Sequence, residues 1–173
     1  VKLGDVPTAR NGTTVEIKNT DAEGRLVMMD ALALAVEEGV DAVVDIATLT
    51  GAVLVALGPA TAGLFGNEPG IIEQVKAAGA VVDEPVWQLL LEKKYRKTLD
   101  SEVADIANLG GPYAGSTTAA LFLAEFVGEV PWAHIDIAGT MNVDADESWR
   151  SKGATGYGAR LLAELARDFT PKA

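Results

Sequence analysis

Ala42-Val-Val-Asp-Ile-Ala-Thr-Leu-Thr50 is a nearly unbroken run of apolar and β-branched residues. Val43, Val44, Ile46 and Thr48 fall on both faces of an extended chain, which is the pattern of a strand covered from both sides. Such a strand belongs in a sheet sandwiched between helices. Before it, Glu23 to Val36 is apolar on nearly every side and holds no Gly or Pro after Gly24, which predicts a buried helix ended by Gly39. Further upstream, Thr13–Lys18 alternates around Val15 and Ile17 and reads as a short strand. After the run, Gly51 to Leu57 reads as a short helix stopped by Gly58-Pro59, and Ala60–Phe65 as another strand.

The same alternation continues outward. Ile71–Ala80 reads as a helix, followed by a loop through Pro85 and a polar helix from Leu89 to Arg96. Val103–Ala107 is apolar but short and fits either strand or loop. The glycine-rich stretch Gly110–Gly115 opens a helix with Ser116 or Thr117 as N-cap and Gly128 as its stop. Trp132–Gly139 alternates cleanly, His134 and Asp136 facing one way and Ile135 and Ile137 the other. Val143–Gly153 reads as a polar loop and Thr155–Phe169 as the last helix. Strands alternating with helices predict an α/β fold: a three-layer sandwich with a mixed, largely parallel sheet flanked by helices. No internal repeat or linker interrupts the pattern, so residues 1–173 read as one domain.

Composition narrows the function classes. Apolar residues make up 49% and charged residues 23%, which excludes an intrinsically disordered chain. Ala (28) and Gly (18) exceed a quarter of the 173 residues while aromatics are only 6%, favouring close backbone packing over large fillers. A net charge of −11 repels phosphate backbones and argues against nucleic acid as a partner. The absence of Cys excludes disulfides, thiolate metal sites and a Cys nucleophile, and fits a cytoplasmic location. No run of apolar residues is long enough to span a membrane. The chain opens Val-Lys-Leu-Gly-Asp-Val, without Met or an apolar leader, which points to processing or to a piece of something longer.

Four places could carry chemistry. In Asn19-Thr-Asp-Ala-Glu-Gly-Arg-Leu26, Asp21, Glu23 and Arg25 are spaced by two, so on extended chain all three point to one side. The two carboxylates suit Mg, Mn or Zn, and the guanidinium suits a carboxylate, carbonate or oxyanion. The same residues also read as a capping box, Thr20-x-x-Glu23, ahead of an apolar helix. Gly110-Gly-Pro-Tyr-Ala-Gly-Ser-Thr117 has the outline of a phosphate loop at a helix N-terminus, but lacks the Lys before Ser/Thr and reads better as a plain loop leading into a helix. The lone His134 has no Gly-x-Ser-x-Gly partner and reads as a hydrogen-bonded structural residue. Asp45, inside an apolar strand, needs a donor. The strand tip at Thr48–Gly51 is a natural substrate wall, because open α/β sheets bind ligands beyond the carboxyl ends of their strands.

Asn19-Thr-Asp-Ala-Glu-Gly-Arg-Leu26 resembles the signature octapeptide of the leucine aminopeptidase (cytosol aminopeptidase) family of two-metal exopeptidases. The resemblance covers nearly the whole chain. Gly4-Asp-Val6 and Thr14-Val-Glu16 precede the signature in family order. Asp45-Ile-Ala-Thr-Leu-Thr-Gly-Ala52, Val103-Ala-Asp-Ile-Ala-Asn108, Ala114-Gly-Ser-Thr-Thr-Ala-Ala120, Pro131-Trp-Ala-His-Ile-Asp-Ile-Ala-Gly139 and Gly153-Ala-Thr-Gly-Tyr-Gly158 follow it.

The resemblance implies that Asp21 and Glu23 are metal ligands, with Glu23 bridging two divalent ions (zinc or manganese, or magnesium). It implies that Arg25 holds a bicarbonate and helps stabilise the reacting carbonyl. Thr48, Leu49 and Gly51 match positions whose backbone contacts bound peptide, and Ala138 and Met141 match the wall of the pocket for the first side chain. It further implies peptide substrates with Leu preferred, and a homohexamer for the full protein. The family's remaining ligands, a Lys and two Asp, and its catalytic Lys come from segments ahead of the signature and have no match here. The chain is therefore expected to be the C-terminal half of the catalytic domain and inactive alone. The competing expectations are a non-catalytic assembly partner and an anion- or nucleotide-binding module built on Gly110–Ser116.

Overall fold

The strand expected from Ala42 to Thr50 stops at Ala47, because the Asp136 carboxylate captures the amides of Leu49 and Thr50 that a longer ladder would have used. The computed structural model describes residues 1–171. Its elements run β1 (Val15–Glu16), α1 (Gly24–Glu37), β2 (Val43–Ala47), α2 (Gly51–Leu57) and β3 (Ala62–Gly66). They continue with α3 (Pro69–Val81), β4 (Val86–Gln88), a 3-10 helix over Lys93–Leu99, β5 (Ile106–Ala107) and α4 (Gly115–Ala124). Then follow β6 (Trp132–Asp136), β7 (Asn142–Val143), β8 (Gly153–Ala154) and α5 (Ala159–Asp168).

The central sheet has the order β2-β6-β3-β4. β2 pairs with β6 in parallel, β3 with β6 antiparallel and β3 with β4 in parallel, so the sheet is mixed and largely parallel. Alternation along the strands divides two cores. Val43, Phe65 and Trp132 pack with Leu26, Met29 and Leu32 of α1 and with Leu121–Leu123 of α4. Leu64, Ala133 and Ile135 pack on the opposite face with Ile71, Ile72 and Val75 of α3 and Leu161 and Leu165 of α5. The result is the three-layer α/β sandwich. Two small pairings, β1 with β5 and β7 with β8, lie outside the main sheet. Among the described residues, no helix is long and apolar enough to cross a membrane.

Several local expectations change. The polar helix over 89–96 does not form: Val86–Gln88 ahead of it pair with β3 and the Leu89 amide bonds to the Leu64 carbonyl, which draws the start of this stretch to the sheet, and the 3-10 helix takes up its end. The Glu92 carboxylate then accepts the Lys94 amide and opens the 3-10 turn. α4 has no Ser or Thr cap; it starts at Gly115 behind Ala114, which takes φ 53°. Within the expected polar loop, β7 and β8 pair, and α5 begins only at Ala159 because Gly156 and Gly158 turn the chain with φ 66° and 93°. Buried Glu84 caps α5 from a distance, accepting the amides of Gly158 and Leu161 at 3.1 and 3.0 Å.

Asp45, inside the sheet, is paired as expected. Asp45 accepts Trp132 Nε1 at 2.6 Å and lies 2.5 Å from His134 Nδ1, its partner across the β2–β6 ladder. His134 is 1% exposed, with rings of Trp132 and Phe65 at 6.3 Å each, and acts as a structural residue.

Candidate functional site

The carboxyl ends of β2 and β6 lie side by side, and one carboxylate ties their outgoing loops together. Asp136, 1% exposed, accepts Leu49 N at 3.1 Å, Thr50 N at 3.4 Å and Ala138 N at 3.2 Å through Oδ1, and Thr50 Oγ1 at 2.7 Å through Oδ2. Thr50 also caps α2, its hydroxyl accepting Val53 N at 3.2 Å. Four donors around one carboxylate compensate its burial.

This knot brings together the residues expected to line a substrate wall. Thr48 and Gly51 are exposed and Leu49 half-buried on the β2 side; Ala138 is half-buried and Met141 exposed on the β6 side. The second loop is a tight turn in which Thr140 N and Met141 N both bond to the Ile137 carbonyl at 3.0 Å. Gly139 within it is packed against Gly58, where an added Cβ would sit 2.4 Å from the carbonyl oxygen. The Met141 carbonyl accepts Thr155 N at 3.0 Å, so the glycine-rich stretch before α5 braces the turn.

The segment carrying Asp21 and Glu23 approaches the same region. A Cβ on Gly24 would lie 3.6 Å from Leu49 Cδ1, so the start of α1 abuts the tip of β2. The segment is not extended, however. Asn19 Oδ1 accepts Asp21 N at 2.8 Å in a local turn, and Glu23 is already helical at φ −76°, ψ −31°. Asp21 and Glu23 are therefore exposed while Arg25, one helical step on, is buried, and the three do not share one side. No capping box forms either: α1 has no side-chain cap, because Glu23 itself occupies the cap position.

Arg25 is 5% exposed. Its Nη1 donates to the Asn108 carbonyl at 2.8 Å, the guanidinium lies 5.9 Å from the Phe122 ring centre, and its buried Nε has no partner. Burial pushes it down to about 10, opposed by the nearby Asp136 carboxylate, so it remains charged at neutral pH. Asp21 and Glu23 have the hard oxygen donors that divalent cations require. Yet among the described residues no three His, Cys, Asp or Glu side chains gather to hold a metal ion. The donor chemistry fits a divalent cation and the donor count does not complete a site.

Asp136 and Asn108 were not singled out from sequence, although Asp136 ends and Asn108 follows an apolar strand, and a buried acid or amide there must find donors or acceptors.

The arrangement is that of an α/β domain with an acidic loop beside the loops that leave the carboxyl ends of β2 and β6. The catalytic-domain profile of the cytosol aminopeptidase family matches residues 1–163, and the chain belongs to that family. It is 51% identical over 168 residues to a probable cytosol aminopeptidase of Synechococcus sp. (strain JA-3-3Ab), covering 96% of this chain and 33% of the relative. It is equally 51% identical over 166 residues to a probable cytosol aminopeptidase of Solibacter usitatus (strain Ellin6076), covering 96% and 35%. A solved structure of a tomato leucine aminopeptidase mutant superposes with a TM-score of 0.89 at 44% identity, over 95% of this chain and 32% of that one. The chain thus spans about a third of the length of the relatives it matches.

Proposed function

We propose that this chain carries the C-terminal part of the catalytic domain of a metal-dependent aminopeptidase, one that releases N-terminal residues, Leu preferred, from peptides. The observation that carries the reading is the closeness of Gly24 to Leu49, where an added Cβ would lie 3.6 Å from Leu49 Cδ1, which brings the Asp21–Glu23 segment beside the Thr48–Gly51 loop that Asp136 ties to Ala138.

Asp21 and Glu23 would hold two divalent ions, zinc or manganese or magnesium, with Glu23 shared between them. When bound, such a pair supplies an activated water and polarises the scissile carbonyl. Arg25 is charged, desolvated and left with an unpartnered Nε, which suits it to hold bicarbonate or a developing oxyanion. The main chain of Thr48, Leu49 and Gly51 would bond the peptide, and Ala138 and Met141 would bound the first side chain. The low exposure of the Asp136 knot keeps those loops fixed while substrate exchanges. The missing ligands would come from polypeptide outside these residues, and the assembled protein would be a cytoplasmic homohexamer.

Leucyl p-nitroanilide and its N-acetylated form test the reading. The metal-loaded enzyme carrying this chain should cleave the first and spare the second, and the 173 residues alone should cleave neither. Equal cleavage of both, or steady turnover by the isolated chain free of longer contaminants, would overturn it.

A further inference from the structure

Asn108 is 0% exposed, immediately after β5, yet its bonds run to a segment 83 to 92 residues earlier. Its side-chain Oδ1 accepts Lys18 N at 2.8 Å and Asn19 N at 3.2 Å. Its Nδ2 donates to the carbonyls of Asn19 at 2.7 Å and Ala22 at 3.3 Å. Its own carbonyl receives Arg25 Nη1, and its amide bonds to the Glu16 carbonyl at 2.9 Å. Both donors and both acceptor sites of the amide are used. One buried residue thus fixes the main chain on either side of Asp21, the main chain just before Glu23, and the guanidinium of Arg25.

We propose that Asn108 is the positioning residue of the acidic loop: it sets the path that presents Asp21 and Glu23, while its own carbonyl holds the Arg25 guanidinium. The inference rests on the two-metal reading above. Only an amide serves here. A carboxylate would face two carbonyl oxygens, and an apolar side chain would leave two buried amides and two carbonyls without partners. The loop's local bonds, chiefly the Asn19–Asp21 turn, cannot by themselves fix where it lies against β5.

Asn108→Asp in the metal-loaded enzyme keeps the shape and both accepting bonds and turns both donating bonds into oxygen–oxygen contacts. Calorimetric titration of the metal-free protein with Mn²⁺ should show Kd raised roughly 10- to 100-fold, the range for residues that orient metal ligands. The kcat lost at limiting metal should return at saturating metal, with KM for leucyl p-nitroanilide unchanged. If that variant fails to fold, Asn108→Ser, which retains a donor and an acceptor, should show the same loss of metal affinity. An unchanged Mn²⁺ Kd with a lowered melting temperature overturns the inference alone, leaving Asn108 a packing residue. A wild-type enzyme that takes up no divalent ion overturns the two-metal reading and this inference with it.

Discussion

Replacing Arg25 by Met separates what the guanidinium does for the fold from what it does for chemistry. Burial depresses Arg25 from its ordinary value to about 10, which corresponds to about 3 kcal/mol against its charged form. Met is of similar length, carries no charge and relieves that cost. Against the gain stands the loss of the charge-assisted bond to the Asn108 carbonyl, about 1.5–3 kcal/mol. The lost contact with the Phe122 ring adds about 0.5–1 kcal/mol. The opposing effects nearly cancel, so calorimetry should find stability changed by no more than about 1–2 kcal/mol. The sign with pH is fixed by the depressed value: the unfavourable contribution is fully present below about pH 10 and fades as pH rises from there toward the ordinary guanidinium value. The difference between variant and wild type should therefore stay flat from about pH 6 to 9. Leucyl p-nitroanilide hydrolysis, by contrast, should fall roughly 10²–10³-fold, the usual loss for one electrostatic stabiliser. A loss of about 3–5 kcal/mol with near-normal turnover would refute the reasoning and make Arg25 a structural clamp.

Asp136→Asn should raise KM for leucyl substrates while leaving metal uptake intact, because it weakens the four bonds that hold Leu49, Thr50 and Ala138; its stability cost should be about 1–3 kcal/mol. Gly139→Ala places a methyl group 2.4 Å from the Gly58 carbonyl oxygen, so the Ala138–Met141 turn must shift. Comparing leucyl with alanyl substrates should show reduced preference for Leu, with about 1–3 kcal/mol of stability lost. Acid should loosen β1 from β5. The Thr14 hydroxyl and then its amide lower Asp105 below its ordinary 3.8, and the Ser101 hydroxyl lowers Glu16. Their stabilisation holds above those ordinary values and is lost as pH falls through the depressed ones. Amide exchange at Ile106, whose N–H bonds to the Thr14 carbonyl, should accelerate in acid in the wild type once the intrinsic rate is corrected for, and the acceleration should be smaller in a Thr14→Val, Ser101→Ala control.

Local signals made much of this fold legible. Gly51–Leu57 is a helix between the residues expected, since Thr50 caps it and Gly58, with φ 71°, ends it. α1 covers almost the residues expected but buries one face, leaving Val27 and Leu34 exposed, the β-branched run forms β2 as far as Ala47, and the half-buried Asp45 finds the donors it requires. What escaped was long-range. β4 is three residues long and exists only because β3 lies beside it. Thr20 and Glu23 have capping-box spacing, but such a box needs the helix to begin at Asp21, and it begins three residues later at Gly24 with Glu23 at the cap position. Spacing by two suggested a shared side for Asp21, Glu23 and Arg25, and the onset of α1 between them breaks that geometry. Asp136 and Asn108 draw their partners from 86 to 90 positions away, which no local pattern reveals. The rule that assigns Asp45 a donor applies equally to both.

The most direct test of the central claim is divalent ion stoichiometry, by elemental analysis and Mn²⁺ titration, in the enzyme carrying this chain and in its Asp21→Asn and Glu23→Gln variants. The account predicts about two ions per subunit in the wild type. It predicts loss of at least one in each variant, loss of leucyl p-nitroanilide hydrolysis, and unchanged melting of the metal-free proteins, because both carboxylates are exposed and neither caps α1. Full metal occupancy with wild-type hydrolysis in the Glu23→Gln variant would contradict it.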